Sequence, residues 1–211
     1  MVDPLVLLAF IPAALLLNLT PGADMMFCLG QGLRSGKLHA IAASAGITLG
    51  GMVHVVLAGL GLSTAIAALP FALETIRWIG VAYLLWLAWS SWSAHSPKVS
   101  RRGTPELSAW QAFWQGFIVN MSNPKIILFV LAFVPQFVDP ARGSVLAQFA
   151  LFGAVIGLGG FVINAAVGVL SGVFSQRVGQ GGRGARILSR LSAMVFVGLA
   201  LKLVWFEKGT Q

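Results

Sequence analysis

The sequence predicts an all-α membrane protein of about six transmembrane helices, arranged as two inverted three-helix repeats in which helices 1 and 4 are broken at Pro21 and Pro124. Three observations carry this expectation. The 211-residue chain is 57% hydrophobic and only 9% charged, where soluble domains carry about 25% charged residues. No Asp, Glu, Lys or Arg occurs from Leu38 to Leu73, from Trp78 to Pro97 or from Gly143 to Gln176, and such runs exceed the ~20 apolar residues that span a bilayer. Finally, two polar-flanked proline breaks interrupt apolar stretches at Asn18-Leu19-Thr20-Pro21-Gly22-Ala23-Asp24 and Asn120-Met121-Ser122-Asn123-Pro124-Lys125.

The mean hydropathy of +0.87 fits helices and not a β-barrel, whose ~10-residue alternating segments are missing. A net charge of +8 could suggest nucleic acid, but within so apolar a chain it reads as loop charge that sets topology. No nucleic-acid partner is expected; the lipid bilayer is. Met1-Val2-Asp3-Pro4 lacks a basic signal-peptide region, so the first helix is expected to stay in the mature protein. Cys28 is the single cysteine, which excludes a disulfide within the chain.

Charged and turn residues divide the chain into hydrophobic segments at about 4–33, 39–69, 71–93, 109–138, 145–175 and 188–206. The first and fourth contain the breaks. Residues 1–93 form the expected first repeat, 94–108 a cytoplasmic linker with Pro97, Gly103 and Pro105, and 109–211 the second repeat. Basic residues gather in the odd connections, at Arg34 and Lys37, then Lys98, Arg101 and Arg102, then Arg177, Arg183, Arg186 and Arg190. The positive-inside bias therefore places both termini outside. Three spans per half is an odd number, so a second copy must cross in the opposite sense. Displacing the sequence by 102 positions superposes Asn18 on Asn120, Thr20 on Ser122 and Phe27 on Phe129.

Gly46-x-x-x-Gly50, Gly153-x-x-x-Gly157 and Gly168-x-x-x-Gly172 allow close approach of helix backbones. Packing within one subunit is their ordinary use, and a homodimer interface is the alternative. Trp78, Tyr83, Trp86, Trp89 and Trp92 concentrate aromatic rings in the third segment and read as interface anchors.

The chemistry belongs to the breaks. Pro21 removes a backbone donor and Gly22 loosens the turn after it, and the freed groups cannot face lipid unsatisfied. Asn18 and Thr20 in the first break, and Asn120, Ser122 and Asn123 around Pro124, are the expected partners. Each second half-helix should present its positive end, near Ala23 or Lys125, to an anionic group. Asp24 and Lys125 are the acid and base expected deep in the hydrocarbon, where each costs about 2.5–3.5 kcal/mol at a helix centre. They lie at matching depths in the two halves and could meet across the pseudo-twofold axis, as a static pair or as a transport site. On the second view Asp24 exchanges a proton or a substrate ammonium, with Lys125 as its counter-charge. His54 could belong to a proton relay or be a packing residue. Asn164 could complete a polar cavity or bond across helices. His39 and His95 fall in connections. No Walker loop and no His-Glu-x-x-His occurs, so neither ATP-driven transport, a zinc protease, nor any other enzyme or cofactor is expected.

The run from Phe113 to Lys125, continuing to Pro135-Gln136-Phe137-Val138-Asp139-Pro140, resembles the signature of the lysine-exporter and homoserine/threonine-exporter (LysE/RhtB) translocator family. Thr20-Pro21-Gly22 with Gly32-Leu33-Arg34-Ser35-Gly36 is similar to its first-helix motif, as are Gly46 to Gly61 around His54 and the Tyr83–Trp89 run. The resemblance spans about residues 5–205. It implies a bacterial inner-membrane protein that exports amino acids or close derivatives by proton antiport, and with the charge bias above its termini are expected in the periplasm. The family commonly has Pro-Gly-Pro where this chain has Pro21-Gly22-Ala23, often a glycine at Ala200, and frequently an acid near Asn164. A metal-ion or other small-solute exporter, a passive channel, and a structural membrane subunit are the alternatives. Metal export calls for more hard oxygen ligands than the one expected buried carboxylate, Asp24.

Overall fold

The computed structural model describes residues 2–68 and 108–171 continuously, with isolated positions between 75 and 92 and between 190 and 204. Helix α1 (Pro4–Leu19) starts at Asp3, whose carboxylate accepts the Leu5 N–H at 2.9 Å. Pro4 fills the first turn, where its missing donor has no intrahelical partner to lose. The chain breaks over Thr20-Pro21-Gly22, bends by 52° and resumes as α2 (Ala23–Ser35). Gly36, at a φ of +89°, takes the left-handed turn into the long α3 (Lys37–Ala68).

After the linker, Ser108 and Gln111 cap α4 (Ala109–Met121) reciprocally. A second break at Ser122-Asn123 leads to α5 (Pro124–Ala132), followed by a 3₁₀ turn at Val134–Phe137, and here the bend is 54°. A further 3₁₀ turn, Pro140–Arg142, leads to α6 (Val145–Val169), capped by Ser144.

No strand occurs among the described residues. α3 and α6 are each long and apolar enough to cross a membrane, and each bent pair passes the same test as one broken span. The first, second, fourth and fifth expected spans are therefore present, and the chain is a multi-pass membrane protein. The third and sixth expected segments are described only at isolated positions, all helical. Trp78, Trp86, Trp89 and Trp92 are exposed there, while Tyr83 and linker residues 94–107 lie outside the described residues.

α3 is the central post, packing on both α4 and α6, while α2 packs on α3 and α6. Glycines set these distances. A methyl group at Gly46 would overlap the Phe113 carbonyl oxygen, one at Gly116 the Ala43 carbonyl, and one at Gly32 the Gly168 carbonyl. A Cβ on Gly153 would strike Val55. Gly46, Gly50, Gly153 and Gly168 thus face other helices of the same chain, as packing within one subunit requires. Gly172 lies outside the described residues.

Where α1 begins, α5 ends and α6 begins, five phenylalanines interlock. Phe10 contacts Phe133, Phe137 and Phe152 at centroid distances of 6.3, 5.1 and 4.7 Å, and Phe129 joins through Phe133 at 4.7 Å. Four of them, all except Phe137, are buried. The same end carries an ionic link, since Arg142 meets Asp3 at 3.1 Å and Asp139 at 3.2 Å.

Gly46→Ala and Gly116→Ala are each expected to destabilise the detergent-solubilised protein by about 1–3 kcal/mol through overpacking, measured by thermal unfolding. The Leu5 N–H and the Arg142 guanidinium hold the Asp3 carboxyl below its ordinary value of 3.8. A lowered folded-state value adds stability above the unfolded value and loses it as pH falls through the folded one. Asp3→Asn, which keeps a capping side chain, should therefore lower the melting temperature near neutral pH and make no difference in strong acid.

Candidate functional site

The breaks in α1/α2 and α4/α5 lie against one another, and each is satisfied by groups from the other. Pro21 cannot continue the α1 ladder, which leaves the last α1 carbonyls without helical donors. Thr20 Oγ1 donates back to the Leu16 carbonyl at 2.6 Å. The Lys125 ammonium, from the start of α5, donates to the Leu17 and Thr20 carbonyls at 2.8 Å each. A cation is thereby held at the negative end of α1.

At the other break, Asn123 caps α5 by accepting the Lys125 N–H at 3.0 Å. His54 on α3 places Nε2 3.3 Å from the Asn120 carbonyl, which also accepts the Asn123 N–H at 2.9 Å. Asn120 Nδ2 donates to Asp24 Oδ2 at 2.9 Å. The two intramembrane charges thus do not meet as an ion pair. Lys125 neutralises backbone dipoles of the first break, and Asp24 holds an amide of the second. The expectation that the α5 start presents its positive end to an anion is modified likewise. Asn123 occupies that end, whereas α2 starts at Gly22 with no side-chain cap.

Asp24, 8% exposed, and Asn120, 2% exposed, line a cavity of about 30 Å³ together with Asn18 and Asn164. That volume has room for about two water molecules. Asp24 Oδ1 and Asn120 Oδ1 are buried without a hydrogen-bond partner. Asn18 is fixed by donating to the Ile156 carbonyl at 3.0 Å. The rest of the wall is aliphatic or glycine, including Ile47, Gly51, Val55, Ile156 and Gly157. The wall therefore combines one carboxylate and three amides with aliphatic residues and glycines.

Of the residues singled out in the sequence, Asn18, Asp24, Asn120 and Asn164 converge on this cavity. Thr20, Pro21, Gly22, Asn123, Pro124 and Lys125 build the paired breaks beside it. His54 is half-buried behind Asn120, and Ser122 is exposed and does not line the cavity. The α3 and α6 wall residues Thr48, Gly51, Gly157 and Gly160 were not among the candidates. Gly51 and Gly160 are signalled only by the doubling of glycine at Gly50-Gly51 and Gly159-Gly160, Gly157 only by the Gly153-x-x-x-Gly157 spacing, and Thr48 by nothing. Among the described residues no three of His, Cys, Asp and Glu are grouped to hold a metal ion.

Lys125→Met strands two buried carbonyls and is expected to destabilise the protein by about 1–3 kcal/mol. Adding Asp24→Asn should not restore the loss. Thermal unfolding of the single and double variants in detergent checks both expectations.

A family model described as LysE type translocator matches residues 15–206. The chain is 31% identical over 199 residues to an uncharacterized membrane protein of Vibrio cholerae, covering 93% of this chain and 95% of that one. It is 32% identical over 145 residues to a homoserine/homoserine lactone efflux protein of Salmonella typhimurium, covering 69% of this chain and 70% of the relative. With a leucine efflux protein of Klebsiella pneumoniae it shares 29% identity over 204 residues, 95% of each chain. No solved structure matches the chain. A match of this extent makes the chain a member of the LysE type translocator family.

Proposed function

We propose that this protein exports amino acids or close derivatives across the bacterial inner membrane in exchange for protons, using the cavity between its two broken helices. The observation that carries the reading is the Asp24 carboxylate, buried at the start of a half-helix on the wall of that cavity, with one oxygen lacking a hydrogen-bond partner. A buried carboxylate costs free energy unless something pairs with it, and a proton or a substrate ammonium would do so. The printed names of relatives, leucine efflux and homoserine/homoserine lactone efflux, supply the substrate class.

A zwitterion needs a second contact for its carboxylate. Gly22 offers one, because a Cβ there would be 3.4 Å from Lys125 Nζ at the uncapped start of α2. Two of the three ammonium donors of Lys125 are used by carbonyls, which leaves the third for an incoming anion. The amino group and a proton then compete for Asp24, and that competition couples the two fluxes. Two similar bends, each at a proline and each satisfied by the other's side chains, support the inverted-repeat reading. Both termini lie in the periplasm on this view, and the basic connections lie in the cytoplasm.

In proteoliposomes, one pH unit should drive about tenfold accumulation for one-to-one exchange. Equal rates with and without the gradient would sink proton coupling. Asp24→Asn should lose both the gradient effect and counterflow of labelled amino acid. Saturable counterflow by the unaltered protein would separate a transporter from a passive channel.

A further inference from the structure

A cavity of about 30 Å³ at Asp24 holds water and no amino acid, so a substrate reaches it only where helices part. Toward the start of α1 and the end of α5 the way is filled by the buried rings of Phe10, Phe129, Phe133 and Phe152. Toward the other end, where α2 turns at Gly36 into α3 and α4 begins at Ser108, the filling is thin. Cys28, Ala43 and Ala112, one small side chain from each of α2, α3 and α4, pack with Ile47 in a cluster of their own, and Ile47 is also on the cavity wall. Beyond that layer α2 buries Gln31, 4% exposed, whose Oε1 has no hydrogen-bond partner among the described residues. Asp24, Cys28 and Gln31 follow at i, i+4 and i+7, which sets all three on one face of α2. His39, the third residue of α3, shares a face with Ala43 and Ile47 by the same rule and buries an unpartnered Nδ1. Packing does not explain Gln31, because a buried acceptor left unmade costs about 1–3 kcal/mol and a leucine would fill the place without that cost.

We propose that substrate reaches Asp24 along this face of α2, and that Gln31 is a binding residue on the route, its Oε1 accepting a hydrogen bond from the amino acid's ammonium before Asp24 takes that group over. This inference rests on the proposed export through the Asp24 cavity, and on that topology the route opens to the cytoplasm. Gln31 lies about 10 Å along α2 from Asp24, with the Cys28 layer between them. Three small side chains make fewer contacts than four phenylalanines, so this is the layer that parts at the lower cost. A neutral amide oxygen holds an ammonium less strongly than a carboxylate does, which favours passage inward from Gln31 to Asp24.

Counterflow of labelled leucine and homoserine in proteoliposomes tests the route, with Cys28 as a built-in reporter because it is the single cysteine. Cys28 is fully buried in this conformation, and an opening that admits an amino acid admits N-ethylmaleimide. The unaltered protein should therefore react with the maleimide severalfold faster during counterflow than with amino acid absent. Gln31→Leu should raise the KM about tenfold, the lower end of what a hydrogen bond to a charged group is worth, with a smaller change in maximal rate. Its melting temperature in detergent should be unchanged or higher, whereas a merely structural glutamine would move the melting temperature and not the KM. Gln31→Glu, which keeps an acceptor oxygen in that place, should not raise the KM. An unchanged KM in folded Gln31→Leu would remove Gln31 from the route. Cys28 labelled no faster during counterflow would overturn the route itself, and that reading needs no variant to fold. Either result leaves amino-acid export standing, whereas counterflow of neither amino acid would overturn the export reading and this inference with it.

Discussion

A backbone cut inside a membrane leaves carbonyls and N–H groups that lipid cannot bond, and this protein contains two such cuts. Each is repaired partly by its own residues, Thr20 on the Leu16 carbonyl and Asn123 on the Lys125 N–H, and partly across to the other. The carbonyl end of α1 is held by Lys125 from the second break, and the amide of Asn120 in the second break is held by Asp24 from the first. Everything else in the described fold keeps these two places in register. α3 packs on both α4 and α6 and meets the Asn120 carbonyl through His54, and Asn18 ties the first break to the α6 backbone at Ile156.

Because each break holds a group of the other, separating them has a cost on both sides. Shifting α5 away from α1 removes the donor from two carbonyls, and shifting α4 away from α2 removes the amide from a buried carboxylate. On the proposed reading a substrate ammonium would take the place of the Asn120 amide at Asp24 and a substrate carboxylate would take the place of the two carbonyls at Lys125.

Four of the six helical spans, both breaks and the polar residues of the cavity other than Thr48 were legible in the sequence, because apolar run length and proline chemistry are local properties. Asn18, Asp24, Asn120 and Asn164 were found for that reason. Which group answers which was not legible. Equivalent depth suggested that Asp24 and Lys125 would meet, yet a lysine side chain is long enough to reach back over the preceding break to carbonyls, and two carbonyls with a share of the helix dipole compete well with one carboxylate. The glycine wall was equally hidden. Gly50 and Gly51 are adjacent in sequence, and only their rotation about the α3 axis turns one toward α4 and the other toward the cavity.

The phenylalanine cluster has an electrical meaning. A membrane potential is worth about 2.3 kcal/mol per elementary charge per 100 mV, and it falls mainly across whatever layer excludes water. Phe10, Phe129, Phe133 and Phe152 are almost wholly buried where α1, α5 and α6 meet, so in this conformation that end of the protein is a dielectric and not an electrolyte. A seal of that kind is what the proposed exchange of amino acids for protons would require, because a leak at this end would dissipate the gradient.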